Sequence, residues 1–226
     1  MKAKRFLILS AGLVLLLSAT LLRAQSTNSA DLEPLKLMLP APAFKGTPKN
    51  VPVGPFTEPP SDKPRPPFMV PLGLRNLASS AKLACSDKNV TREQLAKLTD
   101  GDKDASDSSV LLLRKGTQYV QLDLGRLSEL FAIVLWHSHT AAKVYHDVIV
   151  QIADDSDFSQ NVRTLFNNDH DNTAGLGVGG DREYFETYEG KLIDAKGAKG
   201  RFIRCYSRGS TESPLNEYTE IEIYGR

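Results

Sequence analysis

The densest chemistry in the sequence is acidic. Asp100, Asp102, Asp104 and Asp107 place four carboxylates within eight residues, around Gly101 and beside Lys103, Ala105 and Ser106. Such crowding is repulsive unless water or a cation screens it. Hard oxygen donors on a tight glycine-containing turn suit Ca²⁺, which takes six to eight oxygens, backbone carbonyls included. The segment is not an EF-hand loop, because Gly101 stands at its second position and Leu111 where the closing Glu belongs. Two readings stand: a structural Ca²⁺ turn, or a solvated acidic turn.

Four histidines, His137, His139, His146 and His170, are the candidate bases and metal ligands. His137 and His139 are two apart and share one side of an extended chain, with Trp136 opposite. With His170 they supply three imidazoles, but no metal-site spacing joins them. As polar loop residues, His137, His139 and His170 are candidate ligand contacts instead. Arg208 and Asn216 flank a loop of Gly, Ser, Thr and Pro, and can make the paired hydrogen bonds that vicinal hydroxyls require. Tyr145 and Tyr218 are aromatic candidates for stacking, Tyr218 being equally suited to packing on a sheet. Asn167 to Asn172 and the glycine-rich stretch to Gly180 form a polar insertion, read as a surface excursion or a second cation or ligand loop. It lacks the Lys-Ser/Thr of a phosphate loop, and the chain has neither a Gly-x-Ser-x-Gly elbow nor a His-Glu-x-x-His helix, so no hydrolase motif is present.

The elements that must position these groups follow from composition. Met1–Arg5 is basic, Phe6–Leu22 is almost wholly apolar and Ala24 offers a small residue for cleavage, so residues 1–24 read as a secretory signal peptide. An uncleaved anchor is the rival. Without the four basic residues of that segment the net charge moves from +1 to −3. This removes the cationic footprint expected for nucleic acid or anionic lipid, and membrane insertion after cleavage is not expected. Twelve of the 13 prolines lie between Pro34 and Pro71, which makes residues 25–74 an extended arm or linker. Its Leu35, Phe44, Phe56 and Phe68 are more apolar than a solvated linker needs, so much of the arm is expected to lie along the next domain. Cys85 and Cys205 either form one disulfide or remain separate core residues.

From Arg75 onward, short alternating runs predict an antiparallel all-β domain over 75–226. Candidate strands are Tyr119–Leu124, Phe131–His137, Val148–Ile152, Arg163–Phe166, Tyr184–Tyr188, Arg201–Ser207 and Tyr218–Tyr224. One short helical turn is expected at Thr91–Lys97, with Thr91 and Gln94 as a capping box.

Several segments occur in order: Asn76-Leu77-Ala78, Leu98-Thr99-Asp100-Gly101-Asp102, Tyr119 to Gly125, Val150 to Asp155, Arg201 to Ser207 and Tyr218 to Gly225. Together they resemble a discoidin domain, the coagulation factor 5/8 type C family. The resemblance implies a galactose-binding-like jelly-roll β-sandwich that binds ligands with loops at one end and has no catalysis. It also implies a cation held by Asp100, Asp102 and Glu220, and a His among the sugar contacts. The function expected is an exported, secreted or periplasmic module that recognises carbohydrate or another extracellular polymer. The alternative is an envelope scaffold whose proline-rich arm engages a protein partner.

Overall fold

The computed structural model describes residues 32–48, 51 and 53–226; the expected signal segment 1–24 and the first residues of the arm lie outside them. The described part of the arm is bracketed by a two-stranded antiparallel pair, β1 (Leu32–Pro34) with β2 (Met69–Pro71). The remaining strands are β3 (Arg75–Asn76), β4 (Lys82–Cys85), β5 (Leu111–Leu113), β6 (Gln118–His137), β7 (Ile149–Ala153), β8 (Arg163–Asn167), β9 (Lys191–Ser207) and β10 (Asn216–Gly225), all paired antiparallel. The helical turn α1 (Arg92–Ala96) has the expected capping box: Thr91 Oγ1 accepts from the Gln94 N–H, and Gln94 Oε1 accepts from the Thr91 N–H.

The two longest strands form one bent ribbon. Pairing of β6 with β9 breaks between Asp123 and Ser128, and again between Leu130 and Ala132. Gly125 (φ 76°), Lys196 (φ 52°) and Gly197 (φ 73°) adopt left-handed backbone at these corners, a conformation costly for most residues with a Cβ. The first half of β6 and the second half of β9 join β4, β7 and β8 in one layer. The other halves join β10, with β3 and β5 on its far side, in the second layer. Alternation turns Val120, Leu122, Val150, Ile152 and Ile203 toward Ile133, Leu135, Ile221 and Ile223, and these side chains form the core between the layers. The result is a mostly-β antiparallel sandwich.

One sequence expectation is corrected. Tyr184–Tyr188 is not a strand; its neighbourhood makes only isolated bridges, Thr57 with Glu183 and Val144 with Phe185. The strand lies further on, because β9 already begins at Lys191, in a Lys- and Gly-rich stretch whose alternation is weak. The open question of the cysteines is also answered. Cys85 and Cys205 both pair with Val120, from opposite sides of β6. Two strand spacings of about 4.8 Å separate them by about 10 Å, beyond the ~7 Å that a disulfide spans between Cα atoms. Both are free thiols.

The described arm does lie along the domain. Glu58 N–H donates to Glu183 O (2.7 Å), Glu183 N–H donates to Phe56 O (3.1 Å), and Arg65 donates to the carbonyls of Glu189 and Gly190. Lys191 Nζ meets Glu58 Oε1 at 2.6 Å.

Candidate functional site

Because the ribbon doubles over, both ends of β6 and of β9 meet at one end of the sandwich. The Tyr218 hydroxyl donates to Cys205 O (3.1 Å), and Ser207 Oγ lies 2.8 Å from both Asn216 Oδ1 and that hydroxyl. Around this end run the loops 138–148, 168–190 and 208–215. They are stitched together by backbone hydrogen bonds: Arg208 N–H to His146 O, His146 N–H to Gly209 O, Thr211 N–H to Val144 O and Glu186 N–H to Lys143 O, all between 2.8 and 3.0 Å. Loops fixed in this way hold their side chains before a ligand arrives, which reduces the ordering cost of binding.

The sequence-chosen residues divide into three groups. His137 and Asn216 are fully buried. His137 Nδ1 sits 3.0 Å from Glu186 Oε2, and its ring stacks on Tyr145 at 4.2 Å. Asn216 spends both ends of its amide on the protein, accepting from the Gly209 N–H and donating to Arg114 O and Gly116 O. Tyr145 and Tyr218 are likewise buried, and their hydroxyls are bonded internally. These four side chains build the platform under the rim and do not face a ligand. Desolvation pushes both tyrosine hydroxyls well above their ordinary range.

The second group surrounds the acidic turn. His139 is buried and its Nε2–H donates to Lys103 O at 2.8 Å; Lys103 Nζ in turn meets Glu222 Oε1 at 2.8 Å. Gly101 N–H donates to Glu220 Oε2 at 3.3 Å. Through these contacts the turn is pinned to β10. Asp102 accepts from the Asp104 N–H and from Ser109 Oγ (2.6 Å), bonds that hold its carboxyl below the usual range. Glu220 is 1% exposed. Burial pushes its carboxyl up to about 8; Gly101 N–H and Lys103 oppose that rise, and Glu222 and Asp100 add to it. The protonated form is thus favoured at neutral pH, and a cation bound nearby would favour the ionised form.

The third group lies at the rim, where Arg208, His146 and Asp171 are accessible and Asp147 and Asp169 are buried beneath them. The Arg208 side chain is 48% exposed, 4.0 Å from Asp147 Oδ2, and His146 is 40% exposed, with Nδ1 3.3 Å from Glu183 Oε1. Asp147, Asp169 and Asp171 bring carboxylate oxygens within 4.8 Å of one another, an arrangement able to hold a metal ion. Desolvation raises the Asp147 carboxyl; the Thr173 hydroxyl opposes this at 2.7 Å, and the charges of Asp169 and Asp171 reinforce it. His170 is half-buried and stacks on Phe56 of the arm at 4.2 Å. Asp147, Glu183 and Phe56 were missed as site residues because no spacing links them; only the topology brings them beside Arg208 and the predicted 167–180 loop.

No protein-family model matches the chain, and no curated protein matches it. Solved structures do align with about two thirds of it. A CBM32 module of Clostridium perfringens is 17% identical, covers 67% of this chain and 100% of its own, and has a TM-score of 0.43. A chitosan-binding module derived from a chitosanase/glucanase of Paenibacillus sp. IK-5 is 17% identical over 67% of this chain and 99% of its own, at a TM-score of 0.47. A Streptococcus pneumoniae fucose binding module is 17% identical over 67% of this chain and 98% of its own, at 0.46.

Proposed function

We propose that the chain is an exported, non-catalytic glycan-binding module that takes its ligand on the rim formed by loops 138–148, 168–190 and 208–215. The observation that carries this reading is the rim itself. The Arg208 guanidinium and the His146 imidazole are held solvent-accessible on stitched loops over a rigid sandwich, beside the exposed Asp171 and the partly exposed Glu183. Their donors and acceptors match the hydroxyl edges of a sugar. Hydrolysis finds less support: His137 is closed in the core against Glu186, and His139 is committed to Lys103 O, so neither is placed to serve as a base toward a polymer.

A Ca²⁺ at the acidic turn belongs to the same reading. In this reading Asp100, Asp102 and Glu220 are the candidate carboxylates, supported by the link between Gly101 N–H and the buried Glu220, although both Asp102 oxygens are already hydrogen-bonded and the carboxylates that converge within 4.8 Å are those of Asp147, Asp169 and Asp171. The ion's part is structural: it locks the turn that His139 and Lys103 carry. The scaffold alternative is less well supported, because the described arm spends backbone donors on its own domain.

The test is binding of the full chain to a glycan array, with and without Ca²⁺. Arg208→Ala is expected to weaken the strongest interaction about tenfold while leaving the melting temperature in place. An array with no signal in either condition, together with envelope proteins co-purifying with the chain, favours the scaffold instead.

A further inference from the structure

Phe56 is the arm's aromatic at the rim, and it is 52% exposed although its backbone is held in place. Its carbonyl accepts from the Glu183 N–H. The next residue, Thr57, is buried, bridges Glu183 in parallel, and donates from Oγ1 to Glu183 Oε2 at 3.1 Å. Arg182 adds a donor to Thr57 O at 3.2 Å. One face of the Phe56 ring is covered by His170, with centroids 4.2 Å apart and planes 20° apart. That leaves a large apolar surface beside a polar rim, on a segment tied down by hydrogen bonds.

Its neighbours are the groups of the proposed site. Glu183, which anchors Thr57, also meets His146 Nδ1. His170, which backs the ring, sits between Asp169 and Asp171, whose carboxylates lie within 4.8 Å of that of Asp147; Asp147 in turn faces Arg208. A pyranose has an apolar C–H face and a hydroxyl-bearing edge, and an aromatic ring beside hydrogen-bonding groups matches both. The fixed charges here are Asp147, Asp169, Asp171 and Glu183 against Arg208 and Arg182, a negative surplus that disfavours uronate or sulfate groups.

We infer that Phe56 is the stacking platform of the binding site and that the sugar it takes is an uncharged pyranose, so that the proline-rich arm is part of the site and not a spacer before it. This rests on the glycan-binding reading above. The experiment uses the full chain on an array carrying uncharged hexosides, N-acetylhexosaminides and uronate- or sulfate-bearing chains, followed by affinity measurement on the strongest signal. Wild type is expected to select an uncharged glycan. Phe56→Ala is expected to weaken it about tenfold or more, Phe56→Tyr to stay within about threefold, and both variants to melt within about 2 °C of wild type, since the ring is half-exposed. Phe56→Ala binding like wild type while Arg208→Ala loses affinity overturns the platform and leaves the glycan-binding reading intact. A strongest signal from an anionic chain overturns the sugar class. A wild-type protein that binds nothing on the array removes the parent reading and this inference with it.

Discussion

Replacing Glu220 by Gln keeps an acceptor for the Gly101 N–H and removes the ionisable group. In the folded chain the Glu220 carboxyl is pushed from 4.5 to about 8. A group with a raised folded pKa holds its proton in the folded state after the unfolded chain has released it. Stability is therefore full below about pH 4.5 and falls as the pH rises toward 8. At about 1.4 kcal/mol per pH unit, the loss by pH 8 is of the order of 3–5 kcal/mol when no cation is present. For a chain of this size each kcal/mol moves the melting temperature by roughly 2–4 °C. In chelator at pH 8, Glu220→Gln is thus expected to melt at least about 6 °C above wild type, with the two converging near pH 5. Added Ca²⁺ is expected to raise wild type and not the variant. Scanning calorimetry from pH 5 to 8, in chelator and in Ca²⁺, reads all of this. Parallel curves for the two proteins in chelator would refute the claim that a buried, costly carboxylate sits on β10.

Three further outcomes follow from the buried contacts. Glu186→Ala or His137→Ala leaves one partner of a fully enclosed hydrogen-bonded pair without its neighbour, a cost of about 1–3 kcal/mol; melting is expected to fall by at least about 2 °C with glycan affinity unchanged, and the opposite pattern would return His137 to the site. Gly190 has φ 66°, and an added Cβ would lie 2.6 Å from the Trp136 ring, so Gly190→Ala is expected to cost about 3 kcal/mol or more in chemical denaturation; a variant as stable as wild type would contradict the close approach. Thiol titration of unfolded, unreduced protein is expected to find both cysteines, with Cys205 unreactive in the folded chain because burial pushes its thiol up to about 12; a silent titration would mean a bridge after all.

The sandwich was legible because its core strands alternate cleanly: Val120-Leu122, Val150-Ile152 and Ile221-Ile223 each announce one inward face. The discoidin resemblance pointed to the turn at Asp100 and to Glu220 through a cation, where the structure shows a hydrogen bond from Gly101 N–H; the capping box at Thr91 was legible through local chemistry alone. Strands such as β5, three leucines with no alternation, carried no such signal. The rim was harder. His137 looked like a strand-end ligand because alternation says which side a residue faces but not what covers it, and here Tyr145 and Tyr218 do. Asn216 looked like a contact because Asn is common in polar loops, yet its amide closes hydrogen bonds with two other segments, 207–209 and 114–116. His146, Glu183 and Phe56 come from three distant parts of the chain, and only the doubled ribbon and the docked arm make them neighbours.

The shared strands have a mechanical consequence. Since β6 and β9 each serve both layers, neither layer can peel away while the other survives, and damage at the Gly125 or Gly197 corner is felt at once on both sides of the core. Loss of order in this molecule should be all-or-none, and the recognition surface at the opposite end should keep its shape up to the temperature at which the whole sandwich gives way.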